Sequence, residues 1–184
     1  MKYEVLPITT KRLVLRRFED GDFEALADYR RDPQVARYQS WSEMDADLAL
    51  AFIRGQQAIA FPAPGEWFQI AIAEVSSNRL LGDVGVCVRS VGTVAEIGFT
   101  LARECQGRGI ALEAVQCVLR LIFETTRVES VIAITDLRNT GSMRLLSRLG
   151  FRQVRIESAQ FKGETCDEAT YELRKADWRL LHDG

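Results

Sequence analysis

Apolar positions along the chain change period several times, and each change marks an element. Residues 10–17 alternate, with Leu13 and Leu15 on one side and charged neighbours on the other, which predicts a strand near a sheet edge. Phe23, Leu26 and Tyr29 or Arg30 then fall at helical spacing, with Asp20 placed to cap that helix. Ser42 followed by Asp45 resembles a capping box for a second helix, which would bury Ala46, Ala49, Leu50 and Ile53. Residues 61–66, with Pro62, Pro64 and Gly65, read as a loop. Three strands are expected next, over 67–74, 80–89 and 94–101, with turns at 76–78 and 90–92. Gly82 and Gly85 in the second of these predict a bulge or a close backbone approach.

The period then switches. Ala111, Ala114, Val115, Val118, Leu119 and Ile122 recur at helical spacing, so a long helix should begin near residues 107–109. Residues 128–135 read as a buried strand and 142–149 as a short helix closed by Gly150; residues 152–156 and 169–173 read as two final strands. A meander followed by strand–helix–strand units predicts an α/β (α+β) chain with a mixed sheet and helices on both faces. One domain over residues 1–184 is expected.

Composition narrows the function. Hydrophobic residues make up 47% and charged residues 27% of the 184, so a packed core is expected and disorder is not. Lys and Arg total 24 against 26 Asp and Glu, a net charge of -2, which argues against a nucleic-acid or anionic-membrane partner. Cys87, Cys105, Cys117 and Cys166 form no CxxC pair and only one histidine is present, so no metal site and reduced thiols are expected. The single histidine, His182, is the third residue from the end, which leaves no partner for a Ser or Cys nucleophile. The opening MKYEVLPITTKRL has no signal-type apolar stretch and no eighteen apolar residues run together, so a cytoplasmic protein is expected.

The chemistry is concentrated in Gln106-Gly107-Arg108-Gly109-Ile110-Ala111, between a strand and the long helix. Glycines at a helix start leave N–H groups pointing outward, and with the positive helix end these make an anion site suited to a pyrophosphate. Two glycines there can equally mark a tight turn. A P-loop would need Gly-Lys-Ser/Thr, and none is present. A Rossmann fingerprint would need Gly or Ala where Leu112 stands, in an early βαβ unit.

These residues resemble the signature of the GNAT acetyl-CoA-dependent N-acetyltransferases: Gln or Arg, two residues, Gly, one residue, then Gly or Ala. The opening TKRLVLRRFEDGDFEAL and the string AEIGFTLARECQGRGIALEAV are similar to the branch containing the ribosomal-protein N-terminal acetyltransferases. So are Asn139 and Ser142 in an Asn-x-x-Ser pattern, Gly150-Phe151, and Gly163, Asp167, Tyr171 and Leu173 near the end. The resemblance spans nearly the whole chain. It implies a mostly antiparallel sheet of about seven strands flanked by four helices, splayed between the fourth and fifth strands.

It further implies acetyl-CoA as cosubstrate. Backbone N–H groups of Gln106, Gly107, Arg108, Gly109, Ile110 and Ala111 would bind its pyrophosphate, and Phe99, Thr100 and Leu101 would pair with the pantetheine arm. Asn139 would hydrogen-bond that arm, or else serve as a helix cap. Arg108, Arg144 and Arg148 are candidates for the ribose phosphate. Glu96 is the first candidate for proton acceptor, against the alternative of a strand carboxylate paired with an arginine; Asp136 and Glu157 stand behind it. Many members carry a Tyr four residues before the Gly of the Gly-Phe pair to protonate the thiolate. Leu146 occupies that position here, and Ser142 is the substitute this branch suggests. Trp41 and Trp67, with residues 38–42, are candidates for the acceptor pocket. The acceptor would be an amine, either a protein N-terminus or a small molecule, and by analogy the chain would be a homodimer. The competing reading is a GNAT-fold module that binds acyl-CoA without turnover.

Overall fold

The computed structural model describes residues 5–41, 44–89 and 91–182. Its framework is one eight-stranded sheet in the order β1-β2-β3-β4-β5-β6-β8-β7. The strands are β1 (Ile8–Thr9), β2 (Leu13–Arg16), β3 (Trp67–Glu74), β4 (Leu80–Val88), β5 (Val94–Leu101), β6 (Ser130–Asp136), β7 (Arg152–Phe161) and β8 (Glu164–Arg174). Among the strands of the described residues, β5 and β6 alone pair in parallel. Six α-helices accompany them among the described residues: α1 (Phe23–Arg31), α2 (Pro33–Ala36), α3 (Ala46–Ala58), α4 (Ile110–Thr125), α5 (Thr140–Arg148) and α6 (Lys175–His182).

The expected seven strands become eight because the two-residue β1 pairs with β2, Ile8 opposite Leu15. The expected four helices become six through the four-residue α2, nucleated by Pro33 behind an Asp32 cap, and through α6. Two cap assignments also change. The chain enters α1 through a turn in which Glu19 and Asp22 form the reciprocal box, Asp22 accepting from the Glu19 N–H at 2.8 Å, so Asp20 is not the cap. Asp45 itself caps α3, accepting from the Leu48 N–H at 2.8 Å, and Ser42 lies outside the described residues. In α3, Ala49 and Ile53 are buried, Leu50 is half-buried and Ala46 is exposed.

Alternation along β4 separates the two faces of the sheet. Asp83 points toward α1, where the buried Tyr29 hydroxyl donates to it and Arg30 pairs with it at 3.3 Å. The Arg30 guanidinium is held between the rings of Trp41 and Phe52, each 4.3 Å away. Burial first, and the Asp83 carboxylate second, push the Tyr29 phenol well above its ordinary pKa. This cluster fastens α1 and α3 to the sheet. Helix α4 packs against β2, β4, β5 and α5. Its core stripe runs through Ala114, Val115, Val118, Leu119 and Ile122, all fully buried. No helix among the described residues is long and apolar enough to cross a membrane.

Candidate active site

The parallel ladder between β5 and β6 joins Val94 to Ser130, Ala95 to Val131 and Glu96 to Ile132, and then stops. Past Glu96 the strands part: β5 stays paired with β4 through Leu101 and β6 with β8 through Asp136, but they no longer pair with each other. One row of β5 backbone groups therefore faces open space, a polar edge ready for an added strand. The gap opens into a cleft of about 600 Å³ lined by Phe99, Thr100 and Leu101 on one side. The starts of α4 and α5 form its other walls.

The loop into α4 is shaped for an anion. Gln106 donates its side-chain amide to the Leu101 carbonyl at 3.1 Å, folding the loop back on the end of β5. Gly107 and Gly109 take φ of +72° and +75°, left-handed conformations that favour glycine. The helix ladder opens with the Glu113 N–H donating to the Gly109 carbonyl at 3.2 Å. Among the described residues, the N–H groups from Gly107 to Leu112 have no backbone acceptor.

Arg12 braces this loop from β2's side. It donates to the Arg108 carbonyl at 3.0 Å and holds Glu113 with contacts of 2.7 and 2.6 Å. Burial would raise the Glu113 carboxyl, but its bonds from Thr10 and Arg12 outweigh that and hold it below the ordinary carboxylate range. Replacing Arg12 with Ala should weaken coenzyme A binding about tenfold, since the loop loses its clamp. Calorimetric titration of wild type and variant checks this.

At the facing wall, Asn139 caps α5, its Oδ1 accepting from the Ser142 N–H at 3.1 Å. The helix-cap alternative for Asn139 is thus realised, while its NH₂ group remains able to donate to a ligand. Ser142 lines the cleft, as do Arg144 and Arg148. With Arg138 these place three arginines on the cleft and no carboxylate among its lining residues, a field suited to a polyanion.

The remaining candidates divide. Every backbone-binding candidate from Phe99 to Leu101 and from Gln106 to Ala111 lies on the cleft except Arg108, whose carbonyl is turned to Arg12. Glu96 sits just outside it, at the last rung before the strands part, half-buried and 3.4 Å from Arg89. Asp136 is buried and gripped by Arg138 at 2.6 and 2.9 Å. That hydrogen bonding holds its carboxyl below the ordinary range, the wrong direction for a proton acceptor. Its preference for the ionised form should cost stability as pH falls below about 4, toward its lower folded-state value. Urea midpoints between pH 7 and 3 should fall less for Asp136→Asn than for wild type. Glu157 pairs with Arg155 on β7. Leu146, in the position of the missing Tyr, is fully buried. Trp41 is occupied by Arg30, and Trp67 is 40% exposed at the start of β3.

Sequence reasoning reached residues 38–42 of the segment around α2 and missed Gln34 and Val35. Gln34, Val35, Tyr38 and Gln39 line the cleft, with the Tyr38 hydroxyl donating to the Arg138 carbonyl at 3.3 Å and Gln39 reaching the Phe99 carbonyl at 3.5 Å. Lys162, in the β7–β8 turn, donates to the Ala36 carbonyl at 2.8 Å and fixes this segment from the far side. No local pattern marks Gln34 or Val35, because only tertiary packing brings them to the cleft.

The family model of the acetyltransferase (GNAT) domain matches residues 12–152. This chain belongs to the GNAT family of acetyltransferases. It is 28% identical over 173 residues to p20 of Bacillus licheniformis, named an uncharacterized N-acetyltransferase, covering 92% of this chain and 96% of that protein. It is 25% identical over 180 residues to the [ribosomal protein uS5]-alanine N-acetyltransferase of Escherichia coli, covering 93% and 92% of the two chains. Its fold matches the spermidine N-acetyltransferase of Vibrio cholerae, solved with CoA and spermine, at a TM-score of 0.79 and 17% identity over 92% of this chain and 99% of that one. A GNAT chain of this kind is an acyltransferase. The GNAT sheet here has eight strands, and the expected splay falls between β5 and β6.

Proposed function

We propose that this protein transfers an acetyl group from acetyl-CoA to a primary amine by direct attack. The observation that carries the reading is the parting of β5 and β6 just past Glu96, with the unpaired β5 edge leading to the bare amides at the start of α4. A diphosphate accepts hydrogen bonds from the N–H groups of residues 107–111, and the amides of a pantetheine arm pair with β5 over residues 97–101. The Asn139 NH₂ donates to that arm. Arg144 and Arg148 meet the ribose phosphate. A backbone N–H between Phe99 and Leu101 stabilises charge on the thioester oxygen.

The amine must be neutral to attack. An α-amine, with pKa near 8, loses its proton at far less cost than a lysine amine near 10.4. Glu96 accepts that proton, directly or through one water. Ser142 hydrogen-bonds the sulfur or relays a proton to it, because Leu146 has no hydroxyl. The likeness to a ribosomal-protein alanine acetyltransferase favours a protein N-terminus as acceptor over a small amine. The four free cysteines suit a cytoplasmic setting.

The buried Leu146 in place of Tyr favours a second reading, an acyl-CoA-binding module without turnover. Thiol release from acetyl-CoA separates the two, measured over an alanine-led hexapeptide, a serine-led hexapeptide, spermidine and kanamycin. Turnover on one or more of these supports acetyl transfer; tight CoA binding with release on none supports the module.

A further inference from the structure

Cross-strand register places three rows of residues on the Glu96 face of the sheet. Trp67, Cys87 and Glu96 form one row, Gln69, Gly85 and Gly98 the next, and Ala71, Asp83 and Thr100 the third. The middle row is a trough, because two of its three members lack a side chain.

The two glycines are there for different reasons. A Cβ on Gly85 would lie 2.7 Å from Gln69 Nε2 and 3.0 Å from the Trp67 ring, so Gly85 makes room for a Gln69 side chain lying across it. Gly98 is required by neither backbone nor packing. Its φ is not left-handed, and an added Cβ would meet nothing within 4 Å. What Gly98 provides is open space, one residue before the Phe99 that lines the cleft and two after Glu96.

Gln69 borders that space with an unmet need. Its backbone N–H donates to the Gln56 side chain on α3 at 2.9 Å, which fixes the strand. Its side-chain oxygen is buried and has no hydrogen-bond partner among the described residues. A buried carbonyl left without a donor is costly, and such groups in native structures call for a cause. That oxygen already lies in the trough, 2.9 Å from where a Cβ on Gly85 would stand, and the terminal amide torsion is soft enough to aim it at a ligand over Gly98.

We infer that Gln69 holds the acceptor amine, taking one of its N–H groups while the nitrogen sits over Gly98. This rests on the acetyl-transfer reading and adds the acceptor's own binding residue. The nitrogen lone pair forms the new C–N bond at the thioester carbon, and the C–S bond breaks with its electron pair going to sulfur. With the amine already neutralised by Glu96, the proton shed by nitrogen on attack passes through Ser142 or water to the departing thiolate, and the N–H that remains donates to Gln69 Oε1. Trp67, exposed at the end of the neighbouring row, supplies an apolar wall for whatever the amine is attached to.

The test uses Gln69→Leu and whichever of the four panel amines the wild-type protein acetylates. The expected result is a tenfold or greater fall in kcat/KM for the amine, carried mainly by KM. CoA affinity should stay within twofold and Tm should hold or rise, since an unsatisfied buried oxygen has gone. Gln69→Glu, which keeps an acceptor oxygen, should recover kcat/KM to within about threefold of wild type. Gly98→Ala, a methyl set in open space, should lower kcat/KM for the amine at unchanged Tm. The inference is overturned if Gln69→Leu retains kcat/KM within threefold, or if its loss comes with an equal loss of CoA affinity or a lower Tm. If the wild-type protein acetylates none of the four amines while binding CoA, it is the acetyl-transfer reading that fails first.

Discussion

Replacing Glu96 with Gln should lower kcat by about 10²–10⁴-fold, the usual contribution of a positioned general base, while leaving CoA affinity unchanged. Gln keeps the size of the side chain and its place at the last rung of the β5–β6 ladder, opposite Ile132. It cannot take a proton. The half-buried carboxylate is shared with Arg89 at 3.4 Å, so the variant also frees that arginine. Arg89→Ala, in which Glu96 stays able to accept a proton, therefore serves as the control and should lose far less. Steady-state kinetics across pH decide the matter. Glu96→Gln should stay far below wild type throughout the range in which the amine is neutral. A variant that turns over at the wild-type rate across pH removes Glu96 from the mechanism.

The second large effect is expected in the loop before α4. Gly107→Val and Gly109→Val each force a β-branched residue into a left-handed conformation, with φ of +72° and +75° in the native loop. The cost is about 1–2 kcal/mol per residue, so CoA affinity should fall roughly tenfold for each and about 100-fold for the pair. An added Cβ at Gly107 meets nothing within 4 Å, and at Gly109 only the Arg12 guanidinium at 3.6 Å, so steric clash is not the cause. The loss comes from amides that turn away from the ligand when the loop relaxes. Calorimetry with CoA gives the affinity, and a thermal melt that barely moves shows that the fold has survived.

The glycine loop was legible because its chemistry is local. Glycines ahead of an apolar helical stripe announce left-handed turns and bare amides, and both are found at Gly107 and Gly109. The strands β3 and β5 fall where apolar, β-prone runs and flanking turns put them, Trp67–Glu74 and Val94–Leu101. Strand β7 was read too short because its residues are exposed on both faces at the sheet edge, which leaves no apolar rhythm to extend the reading from 156 to 161. Helix α6 escaped for a related reason, since Trp178 buries itself while Leu180 and Leu181 stay exposed.

The acceptor side was the least legible part of the site. Gln39 reaches Phe99 across sixty residues of sequence. Gln69 acquires meaning only through the register that sets it beside Gly85 and Gly98. Neither relation leaves a mark within a short window of sequence. Leu146 shows the converse: its identity was plain, and its complete burial explains why a leucine is tolerated there, since it packs within the core beside the α5 C-terminus.

Hydrogen–deuterium exchange with and without CoA tests the central claim most directly. Slower exchange of the amides at residues 106–112, at 97–101 on the open edge of β5 and at Ser142 is the predicted result. Binding that leaves those amides exchanging at their unliganded rates, or protects a different surface, contradicts the account.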